Sequence, residues 1–148
     1  MSTATVTQEA VIEVPTMPDV IVKNRDIFLG ILRITPEERR VRYSYFIPIH
    51  QPQVMRVEGC CVLGLAFLAT GLLNDEQRWV RETVTAALGI DLQASMAIDD
   101  INYGEMQTFA MTADWLEAKF TSDDPLWNRI PAAHEEVHPL VDAPVVFV

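Results

Sequence analysis

The sequence has few cysteines and no apolar run long enough to cross a membrane. Its only two cysteines, Cys60 and Cys61, are adjacent, and neighbouring cysteines cannot easily bridge each other. Because neither has another partner within the chain, a disulfide framework is excluded and a reducing compartment is expected. The uncharged, mostly apolar stretch at residues 60–73 is shorter than the roughly 18–20 residues that span a bilayer. The sequence therefore predicts no membrane-spanning helix.

A secretory signal is also missing from the start of the chain. The first nine residues contain neither the basic start nor the apolar block of such a signal. We therefore expect a cytoplasmic protein, or a virion component if the chain is encoded by a phage.

Basic side chains are scarce in the second half of the chain. Residues 1–74 contain seven acidic and seven basic side chains, whereas residues 75–148 contain fourteen acidic and four basic ones. The whole net charge of −10 therefore lies in the second half. Such a surface repels nucleic acid and anionic membranes and attracts basic partners. We expect a protein partner or self-assembly, with no direct binding to nucleic acid or membrane; an ordinary solvated helical surface is the alternative.

The middle of the chain predicts a β-hairpin beside a buried helix. Residues 41–49 alternate with the period of a strand that has one buried face, and residues 54–57 form a second, shorter run. Pro48 cannot donate a hydrogen bond to a neighbouring strand, so it indicates an edge or a strand end. The uncharged stretch at residues 60–73 predicts a helix that is covered on all sides.

Three capping patterns indicate helical segments on either side of this region. Asn24 is placed to cap a short helix with a clear apolar stripe. Thr35 begins a capping-box pattern in which only a helical turn fits. Asn74 can cap a helix that ends at Gly89, where a glycine in the left-handed conformation is expected.

Two more segments complete the predicted core. Residues 91–103 form a further segment, and the polar run at residues 99–102 is interpreted as a helix end. After Gly104 a last helix is expected. The apolar residues expected to be buried in the first and last helices include Ile27, Phe28, Ile31, Leu32, Phe109, Ala110, Ala113 and Leu116.

These patterns predict a single α+β domain, mainly helical, with terminal arms. Residues 1–22 are expected to form an extended arm, residues 23–130 the globular domain, and residues 131–148 a C-terminal turn and extended tail. Terminal segments of this kind are ordered only when something holds them. We therefore expect the arms to dock in a homo-oligomer or a larger assembly.

The string His134-Glu135-Glu136-Val137-His138 matches the pattern H-E-x-x-H. On a helix this spacing places two imidazoles on one face to bind zinc, with the glutamate as general base. His134 and His138, with Asp142 as third ligand, would hold the zinc, and Glu135 would be the catalytic base. Pro139 disfavours a helical conformation at the residue before it, so a solvated acidic turn is the preferred interpretation.

The second candidate for chemistry is Cys61, at the start of the predicted central helix. The N-terminus of a helix can lower the pKa of a thiol and activate it as a nucleophile. His134 or His138 would then be the base, oriented by Asp142. The alternative interpretation is that both cysteines are small buried hydrophobic residues.

Two stretches resemble a family of small proteins from actinobacteria and their phages, known as domain of unknown function 6197. Residues 61–66 are similar to the Cys-x-x-Gly-Ala-Leu helix start of that family. Residues 101–109 and 112–116 are similar to its later Asn-Asp, Thr and helix segment, with Tyr103 where the family has aspartate. The resemblance implies an α-rich accessory protein of a phage or an actinobacterium and no assigned activity.

The sequence therefore favours a non-enzymatic role in protein–protein interaction. Two versions stay open: a virion or assembly component held by its terminal arms, and an acidic inhibitor of a host protein that binds nucleic acid. The alternative class is a hydrolase, using zinc at the H-E-x-x-H motif or Cys61 as nucleophile.

Overall fold

The computed structural model describes residues 16–39, 46–49, 56–71, 80–104 and 108–142. Within these residues the chain is mainly helical, as predicted. The helices are α1 (Met17–Ile34), α2 (Val62–Ala69), α3 (Val80–Leu88), α4 (Leu92–Gly104) and α5 (Phe109–Phe120). The strands are β1 (Phe46–Ile49) and β2 (Arg56–Cys60), and single 3-10 turns lie at Glu37–Arg39 and Pro125–Trp127. None of the helices in the described part of the chain is both long and apolar enough to span a membrane.

Helix α1 begins earlier than its sequence pattern predicted. Thr16 caps the helix: its hydroxyl accepts from the Asp19 amide, and the Asp19 carboxylate accepts from the Thr16 amide. The extended arm predicted at residues 1–22 was therefore wrong from Met17 onward, while residues 1–15 lie outside the described residues. Pro18 is compatible with this start, because proline fits the first helical turn, where its missing N–H has no partner to lose. Asn24 is therefore not a cap but lies inside the helix.

The two strands pair antiparallel, with Phe46 opposite Cys60 and Ile49 opposite Arg56. The register shifts between Ile47 and Pro48, where the proline has no N–H to contribute. Three parts of the predicted hairpin lie outside the described residues: residues 41–45 of its first strand, its connection at residues 50–53, and residues 54–55 of its second strand. The second strand continues to Cys60, beyond the predicted residues 54–57.

Helix α2 is the buried centre of the fold, as its composition predicted. Seven of its eight residues are buried, and Leu68 is partly buried against the core. The predicted length was wrong at both ends of residues 60–73. Cys60 belongs to β2, and Cys61 caps the helix through its Sγ, which accepts from the Gly64 amide at 3.4 Å. The helix is followed by Gly71 at φ 73°, a left-handed conformation that favours glycine.

Helix α3 ends as predicted, with Gly89 at φ 62°. The proposed cap of this helix at Asn74 lies outside the described residues. Helix α4 then runs through Asp99 and Asp100 to Gly104, so the helix end predicted at residues 99–102 was wrong. The polar run is accommodated because Asp99 turns inward and pairs with Arg81 of α3.

Helix α5 begins at Phe109, later than predicted, because Thr108 caps it by accepting from the Met111 amide at 3.0 Å. The predicted core positions on α1 and α5 are confirmed except at Ala110, which is exposed. The side chains that are buried as predicted are Ile27, Phe28, Ile31, Leu32, Phe109, Ala113 and Leu116.

Residues 128–142, which we call the C-terminal segment, follow the last 3-10 turn. They pack against the helices and contain no helix themselves. Pro131 and Leu140 are buried, and the Val141 amide donates to the Ala69 carbonyl at 2.7 Å. The turn expected in this segment is present at residues 132–135, where the Glu135 amide donates to the Ala132 carbonyl. The rest of the predicted tail, residues 143–148, lies outside the described residues.

Candidate functional site

A cleft lined by charged and uncharged side chains lies between α3 and the segment at residues 128–142. Its volume is about 390 Å³. We call it the C-terminal cleft, and it is lined by Glu82, Thr83, Thr85, Ala86, Arg129, Glu135, Glu136 and His138. It therefore brings three residues of the H-E-x-x-H string, two glutamates and the second histidine, to one concave surface.

Glu135 is held by an arginine in this cleft. One guanidinium nitrogen of Arg129, Nη2, donates to both carboxylate oxygens of Glu135, at 2.7 and 2.9 Å, and hydrogen bonds between such charged groups are stronger than neutral ones. The backbone of Arg129 is fixed in turn, because its amide donates to the Gly89 carbonyl at 2.6 Å. A general base would need its carboxylate directed at a water molecule, and both oxygens of Glu135 are instead engaged.

The remaining residues of the proposed zinc site are not arranged around a common point. Residues 131–142 contain no helix, so His134 and His138 do not share a helix face. His134 and Asp142 are exposed, while His138 Nε2 lies 3.3 Å from a carboxylate oxygen of Glu136. Among the residues that the structure describes, no group of three or more His, Cys, Asp or Glu side chains is placed to hold a metal ion. The geometry opposes the zinc hydrolase.

Burial likewise opposes Cys61 as a nucleophile. Both thiols are fully buried. Burial raises the pKa of Cys61 to about 11, against the opposing effect of the Gly64 amide that donates to its sulfur. Burial also raises the pKa of Cys60. Since the thiolate is the reactive form, both cysteines fit the interpretation as small hydrophobic core residues.

A buried polar cluster between α3 and α4 was not foreseen from the sequence. Arg81 donates to the Ser95 hydroxyl at 3.0 Å and pairs with Asp99. Burial raises the pKa of the Asp99 carboxyl, although the hydrogen bond and charge of Arg81 oppose this. Ser95 and Asp99 lie fourteen and eighteen residues after Arg81 in the sequence. These spacings match no local helical repeat, so the sequence does not indicate that the three side chains meet.

Most carboxylates of the acidic half are exposed, while its arginines within the described residues are engaged internally. Arg81 pairs with Asp99, Arg129 with Glu135, and Lys119 lies over the Trp115 ring at 5.5 Å. The sequence contains no basic side chain between Arg81 and Lys119. Among the residues of this half that the structure describes, the exposed acidic ones, which we call the acidic surface, are Glu82, Asp100, Asp114, Glu117, Asp123, Asp124, Glu136 and Asp142.

Some of this acidic charge is balanced by the first half of the chain. Arg33 of α1 lies 3.3 Å from Asp114 and 3.4 Å from Glu117 of α5. All three side chains are more than a third exposed, and ion pairs in such positions are weak. The contact therefore leaves Asp114 and Glu117 available to other cations.

No protein family, curated protein or solved structure matches this chain at a significant level. Function therefore has to be inferred from the chain's own residues.

Proposed function

We propose that this protein is a non-enzymatic interaction domain whose acidic surface binds a basic protein partner. The observation that supports the proposal is the contrast between exposed carboxylates and internally engaged arginines in the acidic half. Eight acidic side chains of this half face solvent, whereas Arg81 and Arg129 are directed at Asp99 and Glu135.

This distribution of charge favours one kind of partner. Exposed charges of one sign steer an oppositely charged protein into contact and reject partners of like charge. Nucleic acid and anionic lipid are repelled by the same carboxylates. A partner that itself binds nucleic acid presents the lysines and arginines that the acidic surface needs, so the proposed protein competes with nucleic acid for it.

The acidic version of the interaction hypothesis has more support than the arm-mediated one. The segment from Met17 to Val22, assigned to an arm from the sequence, belongs to α1. The rest of that arm, residues 1–15, and residues 143–148 lie outside the described residues. We also propose the α+β class, in which a hairpin connects β1 to β2 through residues 50–55. Cross-strand nuclear Overhauser effects between β1 and β2 test it.

A displacement assay tests the proposed function. Fluorescent duplex DNA is bound to poly-L-lysine, and the protein is added at an ionic strength of about 0.15 M, where the Debye length is about 8 Å. We expect the protein to release the DNA. The double variant Asp100→Asn/Asp123→Asn should require roughly three- to fivefold more protein, since exposed ion pairs contribute about 0.2–1 kcal/mol each.

The first half of the chain offers a matched control. Asp26→Asn/Glu38→Gln removes the same charge from two exposed side chains outside the acidic half, and it should leave DNA release nearly unchanged. Absence of DNA release by the wild-type protein would overturn the proposed function. If both double variants lost the same DNA-releasing activity, release would depend only on the net charge of the protein and not on the acidic surface.

A further inference from the structure

Helix α4 exposes two large apolar side chains on one face. Leu92 and Met96 are each 54% exposed. Residues four apart on a helix are neighbours on its surface, and Asp100, another four residues along, is also exposed. The outer face of α4, defined by Leu92, Met96 and Asp100, is therefore an apolar stripe that ends in a carboxylate.

The opposite side of α4 is already occupied by the core. Ala94, Ser95, Ile98 and Asp99 are buried, and α4 packs against α2 and α3. The packing of the described elements, which includes contacts of α4 with the 3-10 turn at Pro125–Trp127, thus leaves about half of the Leu92 and Met96 side chains exposed. A single exposed apolar side chain is ordinary, but a continuous apolar patch bordered by charge is typical of an interaction surface.

All charged side chains between residues 91 and 104 are acidic. Asp91 precedes the helix and accepts from the Gln93 amide at 3.1 Å, and Asp100 lies beyond Met96. The nearest arginine in the sequence, Arg81, is directed at Ser95 and Asp99 on the inner side. A partner at the outer face therefore meets an apolar contact surface bordered by the exposed carboxylate of Asp100.

We propose that the outer face of α4 is the docking surface for a basic amphipathic helix of the protein partner; this inference rests on the proposed function. The complementary helix has apolar residues three or four positions apart, flanked by lysines or arginines. Leu92 and Met96 contact its apolar stripe, and Asp100 faces one of its flanking cations. The thioether of Met96 is flexible and polarisable, which suits a surface that must adapt to a partner.

Two peptides separate apolar docking from attraction by charge alone. Both contain about 18 residues of leucine, lysine and alanine in the same composition, long enough for about five helical turns. One peptide places its leucines along a single helix face, and the other has them scrambled. Fluorescence anisotropy gives the affinity of each peptide for the wild-type protein, Met96→Ser and Met111→Ser.

Met111 is the matched control because it is 53% exposed on α5. We expect the ordered peptide to bind more tightly than the scrambled one. Met96→Ser should weaken binding of the ordered peptide about fivefold, the loss expected for an apolar contact of about 1 kcal/mol. The scrambled peptide should bind Met96→Ser and wild type within about twofold, and Met111→Ser should leave both affinities within that range. Backbone amide shifts caused by the ordered peptide should be largest at residues 92–100.

The contrary outcomes distinguish the inference from the proposed function. Equal affinities for the two peptides, or equal losses in Met96→Ser and Met111→Ser, would overturn docking on α4 while leaving an acidic interaction surface in place. Failure of both peptides to bind would overturn the proposed function and the inference together. Thermal unfolding of each variant shows whether a lost affinity reflects lost folding.

Discussion

Replacement of Asn24 by alanine should strongly destabilise the fold. This side chain is 1% exposed inside α1. Its amide nitrogen donates to the carbonyls of Ala87, at 2.9 Å, and His138, at 3.0 Å, and its oxygen accepts from the Leu140 amide at 2.8 Å. One residue thus connects α1 to α3 and to the C-terminal segment, and its partners fix the orientation of the amide.

The expected loss follows from the groups that the substitution leaves without a partner. Leu140 and Ala87 are buried, and an unsatisfied buried polar group costs about 1–3 kcal/mol. His138 is half-buried, so water can replace its lost hydrogen bond. Alanine recovers roughly 0.5 kcal/mol through its higher helix propensity. With about 1.5 kcal/mol for each of the two buried groups, the free energy of unfolding should therefore fall by about 2–3 kcal/mol.

Chemical denaturation measures this change directly. For a chain of this length the loss corresponds to a decrease in Tm of roughly 5–10 °C, and hydrogen exchange at the Leu140 amide should accelerate. Lys23→Ala, an exposed substitution on the same helix, is the control and should change the stability by less than about 0.5 kcal/mol. A loss below about 1 kcal/mol in Asn24→Ala would refute the reasoning, because the segment at residues 128–142 would then not depend on this side chain.

Four further substitutions or treatments test other parts of the structure. Gly89→Ala should lower the free energy of unfolding by more than about 1 kcal/mol. The added Cβ would lie 2.7 Å from the Arg129 carbonyl oxygen, and residue 89 has a φ of +62°, which L side chains rarely adopt. Gly30→Ala, whose Cβ meets nothing within 4 Å, should stabilise by roughly 0.5–1 kcal/mol in the same denaturation assay. The raised pKa of Asp99 makes ionisation costly in the folded state, so the stability of wild type relative to Asp99→Asn should decrease as pH rises from about 4; a decrease on acidification would contradict this. Cys60 and Cys61 should react with a thiol reagent only after unfolding, and rapid labelling of the native protein would contradict their burial.

The main helices were predictable where apolar spacing and capping residues agree. The stripe of α1, the all-round burial of α2 and the end of α3 at Gly89 follow from local rules that require no knowledge of distant contacts. The start of α1 was missed because Pro18 is compatible both with an extended segment and with a first helical turn. The capping pair of Thr16 and Asp19 favours the helix.

The buried polar contacts could not be predicted because they join residues far apart in the sequence. Asparagine is a residue type that often caps helices, but the hydrogen-bond partners of Asn24 are 63, 114 and 116 residues away in the sequence. The sequence pattern at Asp99 indicated a helix end, whereas Asp99 lies inside α4 and pairs with Arg81 of α3. In both cases tertiary contacts satisfy a polar residue inside a helix, and local propensity has no information about them.

The sequence predicts the charge of the candidate site but not the arrangement of its side chains. The excess of carboxylates in residues 75–148 is visible in the sequence. The H-E-x-x-H string, in contrast, has the right letters in a segment that forms no helix, and Glu135 pairs with Arg129 six residues earlier. The exposure of Met96 required the structure, because residues 91–103 alone do not show which face of α4 the core covers.

The salt dependence of binding to an unstructured lysine peptide tests the proposed function most directly. Affinity for decalysine is measured by calorimetry at about 50 and 200 mM NaCl, which shortens the Debye length from about 14 to 7 Å. Attraction by the acidic surface predicts measurable binding at the lower salt concentration and about tenfold weaker binding at the higher one. Absence of binding at either concentration, or an affinity that does not change with salt, would contradict a function based on exposed carboxylates.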